Sequence, residues 1–369
     1  MPNFLFATLD AGGNLPPAAG IARELIRLGH RVRFVGHSQQ AAAIKATGAE
    51  FHAYRHSPPM APAEHVPALR QISMMLSVFA ASGIAQDVVE EARKEPTDVV
   101  IVDCLLLGAV DAAVKAGFRT VPLVHSFYAF FNGPFRRSPI TAALAVRGLG
   151  PGRVMRRSHR ILVAADPHLD PAGKLNGHGK VVWSGAVVAI DKPAQPITPT
   201  STRRLLISLS TTAFSGQEAF LQKALQAVAD LPVEVILTTG PAIAPTSIKA
   251  PKNVTVYGYR PHREVMPDCA AVLGHGGHAT TMLALAHGLP LVIAPMHPLL
   301  DQRMVGRAVQ DAGAGLLIKA SASPDGIASA IESVVNMPAF RTAAETVGQR
   351  LRKTDGADAG ARLLVEMAA

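Results

Sequence analysis

Short apolar runs alternate with helix-like apolar spacing along the first half of the chain. Residues 4–7 and 32–35 form two runs that predict strands, and the segment between them has helical apolar spacing up to Leu28, just before Gly29. Further strands are predicted at residues 99–102 and 121–124. Strands that alternate with helices favour a parallel sheet, so this half is expected to be an α/β domain.

A proline-rich stretch separates this half from a second one with a similar pattern. Residues 189–203 contain three prolines and several hydroxyl side chains without periodicity, which is typical of a linker. After it, strands are predicted at 205–209, 233–237, 254–257, 271–273, 291–294 and 316–318, and helices at 218–229, 281–287 and 303–311. We therefore expect domains at 1–188 and 204–352, and a final segment 353–369 with a helix at 360–367.

The composition agrees with two globular domains. Of 369 residues, 49% are hydrophobic and 17% are charged, which excludes a disordered or fibrous chain. Cys104 and Cys269 are far apart and lie in apolar runs, so they predict neither a disulfide framework nor a cysteine-based zinc site, and both are expected to be inert core thiols. The first residues show no signal-peptide pattern, and every long apolar run is broken by Asp, His or Gly, so a soluble cytoplasmic protein is expected.

The positive charge is concentrated in one segment. The formal net charge is +9, and residues 112–165 contain nine Lys and Arg side chains without any Asp or Glu. These are Lys115, Arg119, Arg136, Arg137, Arg147, Arg153, Arg156, Arg157 and Arg160. From Arg136 to Arg160 the arginines alternate with apolar residues, which fits either a solvated surface or a basic face with weak contact to an anionic membrane. No aromatic interleaving or helix-turn-helix pattern points to nucleic acid.

The most informative segment is a glycine turn between a predicted strand and a predicted helix. His275, Gly276 and Gly277 follow the strand, and Thr280 and Thr281 stand at the helix start. Glycines let a ligand approach the backbone, and the unpaired N–H groups of a helix start attract a diphosphate. Taken alone, the pattern also fits a tight turn with Thr280 as a helix cap.

Two neighbouring loops favour the ligand-binding interpretation. Tyr259, Arg260 and His262 precede the glycine turn, and Asp301 with Gln302 follows the next strand. All three loops come at carboxyl ends of predicted parallel strands, the edge at which open α/β sheets bind ligands. A carboxylate beside an amide at that edge also suits the hydroxyl groups of a sugar, although Asp301 could be a plain helix cap.

Together these segments resemble the donor-binding signature of the nucleotide-sugar glycosyltransferases with the GT-B fold, in particular the bacterial natural-product enzymes of the UDP- and dTDP-sugar superfamily. The resemblance covers nearly the whole chain. It implies an α/β fold of GT-B type, with two Rossmann-like doubly wound parallel-sheet domains facing a cleft. The first domain would bind the acceptor and the second the nucleotide sugar, and the final helix would cross back to the first domain. Transfer would be inverting, with neither a metal nor a cofactor.

The resemblance also assigns roles to residues of the second domain. The segment 259–262 would lie against the nucleotide base, and Asp301 with Gln302 would hold the sugar. The residues implied for the diphosphate are His275, Gly276, Gly277, Thr280 and Thr281. Ser210 or Thr211, in a similar turn after the first strand of this domain, would either touch the phosphates or only form a local turn.

The match fails at the catalytic base. Enzymes of this family usually carry a His after the first strand and an Asp that orients it, but Asn14 stands at the expected His position, and an amide does not take up a proton. Asp103, at the end of a predicted strand, remains as the partner. Three repairs are open: Asp10 or Asp103 is the base, His125 reaches in from a neighbouring strand end, or the acceptor is acidic enough to need little help. The alternative is a pseudoenzyme that binds a sugar nucleotide, or a helper of an active partner.

The first half is rich in Met and aromatic side chains, which either line a pocket for an apolar acceptor or form core. They are Phe51, Tyr54, Met60, Met74, Met75, Phe79, Phe127, Tyr128, Phe130, Phe131 and Phe135. A polyketide, macrolide, aromatic aglycone or lipid would suit such a pocket, and a monomer or homodimer is expected. Dinucleotide-binding, P-loop and serine-hydrolase motifs do not occur in the sequence. A sugar-nucleotide epimerase with the same fold remains open, although no acid–base carboxylates for it are identifiable.

Overall fold

The computed structural model describes residues 1–57, 68–177, 179–189, 203–209, 213 and 216–369. They form two compact units, one made of the described residues up to Val187 together with Thr354–Ala369, the other of those within Val188–Lys353. Each unit is built on one parallel sheet, so the predicted α/β class and its parallel sheets are confirmed. Most of the predicted linker, and Met60, lie outside the described residues.

The first unit alternates strands and helices along the chain. Its strands are β1 (Asn3–Ala7), β2 (Arg31–Gly36), β3 (Glu50–Ala53), β4 (Val99–Asp103), β5 (Thr120–Val124), β6 (Ile161–Val163) and β7 (Val181–Trp183). Its helices are α1 (Leu15–Arg27), α2 (Ala41–Lys45), α3 (Ala68–Phe79), α4 (Ser82–Lys94), α5 (Leu107–Lys115), α6 (Tyr128–Asn132), α7 (Pro139–Val146) and α8 (Pro151–Arg157). The predicted strands at 4–7, 32–35, 99–102 and 121–124 are confirmed to within one residue, whereas β3, β6 and β7 were not predicted.

The second unit repeats the pattern. Its strands are β8 (Arg203–Ser208), β9 (Val233–Thr238), β10 (Val254–Tyr257), β11 (Ala271–Gly274), β12 (Leu291–Ile293) and β13 (Gly315–Leu317). Its helices are α9 (Gln217–Val228), α10 (His262–Val265), α11 (His278–Ala286), α12 (Gln302–Asp311), α13 (Pro324–Asn336) and α14 (Pro338–Thr354). Buried aliphatic side chains of the strands pack against α9 and α13 and form the core. The predicted helix at 281–287 begins three residues earlier, at His278, directly after the glycine turn.

The last helix, α15 (Gly356–Ala368), belongs to the first unit. Ala361 and Leu364 are buried in the same core cluster as Ile21 and Leu25 of α1. A Cβ on Gly360 would lie 2.9 Å from the Ile21 side chain, so the glycine allows the two helices to pack closely. The predicted helix at 360–367 is therefore present and begins at residue 356.

The two sheets share one topology. The strand orders are β3-β2-β1-β4-β5-β6-β7 and β10-β9-β8-β11-β12-β13 for the described residues. The order reverses between β1 and β4 in the first sheet and between β8 and β11 in the second. Doubly wound sheets bind ligands at the carboxyl ends of the strands beside such a switch point. The fold therefore marks one candidate position in each unit.

One stretch of the first unit, Ile72–Lys94, is apolar and long enough, by length and composition, to cross a membrane. The structure divides it into α3 and α4. In α4, the buried carboxylate of Glu91 lies 3.0 Å from Arg33 Nη1, and Asp87 accepts hydrogen bonds from the backbone of the segment after β3. These charged contacts hold α4 against the sheet edge, so the stretch is weak evidence for a membrane span.

Candidate active site

Asn14 and Asp103 meet at the switch point of the first sheet. Asn14 precedes α1 in the turn after β1, and Asp103 ends β4, which pairs with β1. The Nδ2 atom of Asn14 donates a 2.7 Å hydrogen bond to Oδ2 of Asp103, and both side chains are buried. Asn14 thus lies beside Asp103, at the position where the family resemblance implies the usual His.

His125 approaches the same carboxylate from the neighbouring strand. It directly follows β5, and its Nε2 atom lies 3.6 Å from Oδ2 of Asp103. The second oxygen of Asp103 accepts a 2.9 Å hydrogen bond from the backbone N–H of Leu105. The imidazole is the more accessible member of this pair, because 17% of the His125 side chain is exposed against 5% of Asp103.

Cys104 completes the cluster, with its Sγ atom 3.9 Å from Nε2 of His125. Burial raises the pKa of the Cys104 thiol, which therefore stays protonated at neutral pH. Burial also lowers the pKa of His125, but the neighbouring Cys104 and Asp103 outweigh it and raise that pKa well above its ordinary value. Of these two neighbours, Asp103 is the one that carries a negative charge beside Nε2 of His125.

Asp10, the remaining candidate from this unit, lies half-buried in the turn after β1. Burial lowers the pKa of His37, and the negative charge of Asp10 offsets part of that effect. Asp10 therefore acts on His37, whereas the Asn14, Asp103 and His125 side chains form a separate group.

His275 and the two glycines lie at the switch point of the second sheet. Gly274, the end of β11, is in register with Ser208, the end of β8. Burial lowers the pKa of His275 to about 4, an effect that a hydrogen bond to the Ser208 backbone partly offsets and His262 increases. His275 is therefore neutral at physiological pH. Because the hydrogen bond to Ser208 favours the charged form of His275, the ring must donate it to the Ser208 carbonyl. The other ring nitrogen of the neutral imidazole therefore carries no proton.

A Cβ on either glycine would make close contacts, and Gly276 also has a positive φ. Gly276 has φ +87°, and a Cβ there would lie 2.7 Å from the backbone oxygen of Gln302 and 2.9 Å from Cγ2 of Ile293. A Cβ on Gly277 would lie 2.6 Å from Nε2 of His275. The turn thus fixes the His275 ring and brings α11 close to α12.

The start of α11 presents backbone donors at this edge. Its N-cap is Gly277, which provides no side-chain cap for the N–H groups of the first turn. Thr280 is half-buried in that turn, whereas Thr281 is only 2% exposed. Of the two threonines in the predicted diphosphate site, Thr280 is therefore the accessible one. Ser210 and Thr211 lie outside the described residues.

Asp301 and Gln302 begin α12 at the carboxyl end of β12. Gln302 is buried, and its Oε1 atom accepts hydrogen bonds of 2.7 Å from Met296 N–H and 3.0 Å from His297 N–H. Gln302 thus holds the loop after β12, and only its NH2 group remains to meet a sugar hydroxyl. Asp301 is half-buried and makes no capping hydrogen bond with its side chain, contrary to a plain N-cap role.

The segment after β10 presents an aromatic surface. Tyr259 is 77% exposed, and Arg260 lies over the ring of Tyr257 with Cζ 4.9 Å from the ring centre. His262 is 3.2 Å from the hydroxyl of Thr238, at the end of β9, which ties this segment to the sheet. An exposed ring anchored at the carboxyl edge suits stacking on a nucleotide base.

Most of the aromatic residues of the first unit form core. Phe127 is fully buried, and Phe135 packs against the rings of Phe79, Phe130 and Phe131. Met74 and Met75 are half-buried on α3. The phenylalanine cluster therefore forms core. The half-buried methionines of α3 are the better candidates for contact with an acceptor.

Part of the basic segment lies at the opposite, amino edge of the first sheet. Arg119, His159, Arg160 and Lys180 precede β5, β6 and β7 and line a groove of about 520 Å³. Arg119 donates to the backbone oxygens of α15, and Arg160 to that of Gly179. The groove is remote from the Asn14–Asp103 site along the strands, and the membrane contact stays a prediction.

Sequence reasoning missed that Cys104 belongs to the site. The available signal was adjacency: Cys104 follows Asp103 at the end of β4, and His125 follows the neighbouring β5. It also missed that the Gln302 side chain accepts a hydrogen bond from the backbone of its own loop. That contact joins Gln302 to a residue six positions earlier, and no periodicity in the sequence reveals it.

Comparison with known proteins identifies relatives of this chain. Residues 222–357 match the family "Erythromycin biosynthesis protein CIII-like, C-terminal domain". The chain is 32% identical over 266 residues to the elloramycin glycosyltransferase ElmGT of Streptomyces olivaceus, covering 69% of this chain and 66% of the relative. It is also 32% identical over 233 residues to a PGL/p-HBAD biosynthesis glycosyltransferase of Mycobacterium tuberculosis (strain ATCC 25177 / H37Ra), covering 62% and 52%. The chain thus spans less than two thirds of the length of these relatives.

Among solved structures, the fold is similar to that of the glycotransferase of kitacinnamycin. The TM-score is 0.79 at 22% identity, and both chains are covered completely. At this identity the likeness shows the fold, which extends over the whole chain.

Proposed function

We propose that this chain transfers a sugar from a UDP- or dTDP-sugar to an apolar small molecule. The sequence and the GT-B fold, which group the chain with the natural-product glycosyltransferases, support this proposal. The observation that carries the proposal is the turn His275–Gly277, which precedes an uncapped helix start at the switch point of the second sheet. Transfer inverts the anomeric centre and needs no metal.

The second unit supplies the charge stabilisation. When the acceptor oxygen bonds to the anomeric carbon, the bond from that carbon to the phosphate oxygen breaks, and the diphosphate leaves with the electron pair. Donors fixed where this charge develops lower the barrier. We assign that role to the N–H groups at the start of α11, with Thr280 and His275 beside them. Asp301 accepts from sugar hydroxyls, and Tyr259 stacks on the base.

The first unit supplies the base. The acceptor proton goes to His125, which Asp103 orients, while Asn14 and Leu105 hold the carboxylate. Asp103 is less accessible to the acceptor, because its side chain is buried and both of its oxygens accept hydrogen bonds. The acceptor is apolar, and the half-buried methionines of α3 suit contact with it.

The second candidate function is a pseudoenzyme or helper that binds the sugar nucleotide without transfer. The observation that favours it is Asn14, whose amide is bound to Asp103 at the place of the usual base. The two functions make the same prediction for nucleotide binding and opposite ones for turnover.

The deciding experiment is calorimetric titration with UDP, dTDP and their glucose conjugates, followed by assays of donor hydrolysis and transfer to a panel of phenolic and macrolide acceptors. We expect one nucleotide to bind and its sugar to be transferred. Binding without turnover on any acceptor favours the pseudoenzyme, and no binding of any nucleotide refutes both candidates.

His275 gives a further expected result. A bound diphosphate stabilises the imidazolium, so binding raises the pKa of His275 from about 4 and takes up a proton at a pH between the free and bound values. The measurement is titration with the nucleotide sugar near about pH 6, in two buffers that differ in ionisation enthalpy. His275→Gln should bind with buffer-independent heat. Equal buffer dependence in the variant would assign the proton to another group.

A further inference from the structure

Three potential metal ligands converge at the end of β4 and β5. Asp103, Cys104 and His125 each offer one ligand atom, and these atoms all lie within 4.8 Å of one another. The distances are 3.6 Å between Oδ2 and Nε2 and 3.9 Å between Sγ and Nε2. Within the described residues, no other group of three His, Cys, Asp or Glu side chains meets this condition.

These separations fit a tetrahedral ion. Zinc bonds of about 2.0–2.2 Å to nitrogen and oxygen and about 2.3 Å to sulfur give tetrahedral edges of roughly 3.4–3.6 Å between ligand atoms. The cluster is therefore a few tenths of an ångström wider than a loaded site along the two measured edges. Thiolate, imidazole and carboxylate together suit zinc better than magnesium or calcium, which prefer oxygen alone.

The surroundings hold the ligands in place. Asp103 ends β4, and His125 directly follows the paired strand β5, in which Leu123 is in register with Asp103. The carboxylate accepts hydrogen bonds from Asn14 Nδ2 at 2.7 Å and Leu105 N–H at 2.9 Å. Such outer contacts orient the side chains that bind the metal ion. The partly exposed His125 leaves an open side, where a water can occupy the fourth position.

We propose that Asp103, Cys104 and His125 form a binding site for Zn²⁺ that blocks the proposed base when it is occupied. Zinc displaces the thiol proton of Cys104 and bonds to the unprotonated Nε2 of His125, which leaves the one proton of the neutral ring on Nδ1. Neither ring nitrogen can then take the acceptor proton. The binding itself does not depend on the proposed function, whereas the inhibition rests on it. Cys104, inert by its sequence context, becomes a ligand because the sheet places it beside His125.

The binding test uses Co²⁺ and Zn²⁺ on the reduced, metal-free chain. Co²⁺ is expected to give a thiolate charge-transfer band at one equivalent, and Zn²⁺ to abolish it. Cys104→Ser should remove the band and weaken Zn²⁺ binding by more than about 100-fold, the upper end for loss of an outer contact alone. Cys269→Ser, at the other buried cysteine, is the matched control and should keep both.

His125→Gln supplies a second variant that does not touch the sulfur. It should weaken Zn²⁺ binding while retaining a thiol that reacts with a thiol reagent in denaturant, as in the wild type. A missing band in the wild type, or a band that survives Cys104→Ser, overturns the site.

The inhibition test compares transfer rates with Zn²⁺ and with EDTA. Zn²⁺ should inhibit the wild type and Cys269→Ser equally, and Cys104→Ser should need at least about 100-fold more zinc for the same inhibition. Specific binding without inhibition leaves the site standing and overturns the assignment of His125 as the base. Inhibition unchanged in Cys104→Ser overturns the blocking mechanism.

Discussion

His125→Gln is expected to lower kcat for sugar transfer by about 100- to 10 000-fold, the contribution of a general base. Glutamine keeps a polar side chain beside Asp103 but accepts no proton from the acceptor. The affinity for the nucleotide sugar should stay unchanged, because the donor residues belong to the second unit. Steady-state kinetics and nucleotide titration of the same preparation measure the two quantities.

The pH profile adds a readout that a structural role would not change. Burial lowers the pKa of His125, but the neighbouring Cys104 and Asp103 outweigh this effect and raise that pKa above its ordinary value. A protonated ring does not accept the acceptor proton. In EDTA, kcat of the wild type should therefore rise with pH through a midpoint above the ordinary histidine value. His125→Gln should lack this limb. His159→Gln, at an exposed histidine before β6, serves as the control and should keep it. Wild-type kcat in His125→Gln would refute the assignment.

The parts of the fold that the sequence predicts are those with a local signal. The strands of both switch points are continuous apolar runs, and β1, β4, β8 and β11 appear where the runs predict them. The strands β6 and β7 have three residues each and follow basic or glycine-rich turns, so no window of periodicity detects them. They become strands because each pairs with a neighbour in the sheet.

The candidate sites divide in the same way. The glycine turn is readable because glycines and hydroxyl residues follow each other along the chain. The contact between Asn14 and Asp103 joins residues 89 positions apart. From the sequence, only the family resemblance predicts that these two residues lie side by side. The orientation of His125 and Cys104 toward one carboxylate depends on the twist and register of β4 and β5, which no sequence pattern expresses.

Gly276→Ala is expected to cost about 2–5 kcal/mol of stability and to weaken nucleotide binding at least about tenfold. An alanine at φ +87° costs about 1–2 kcal/mol, and its Cβ, 2.7 Å from the Gln302 oxygen and 2.9 Å from Ile293, adds overpacking of about 1–3 kcal/mol. Denaturant unfolding measures the first loss and calorimetry with UDP or dTDP the second.

Gly216→Ala separates these two causes of instability. Gly216 lies in the same unit with φ +80°, but a Cβ there would meet no atom of the described residues within 4 Å. Its substitution should therefore cost only the conformational part, about 1–2 kcal/mol. If both variants lose the same free energy of unfolding, the close approach of the turn to α12 contributes nothing to stability. In that case α12 would tolerate a displaced turn, and Asp301 would no longer be held at a fixed distance from the start of α11.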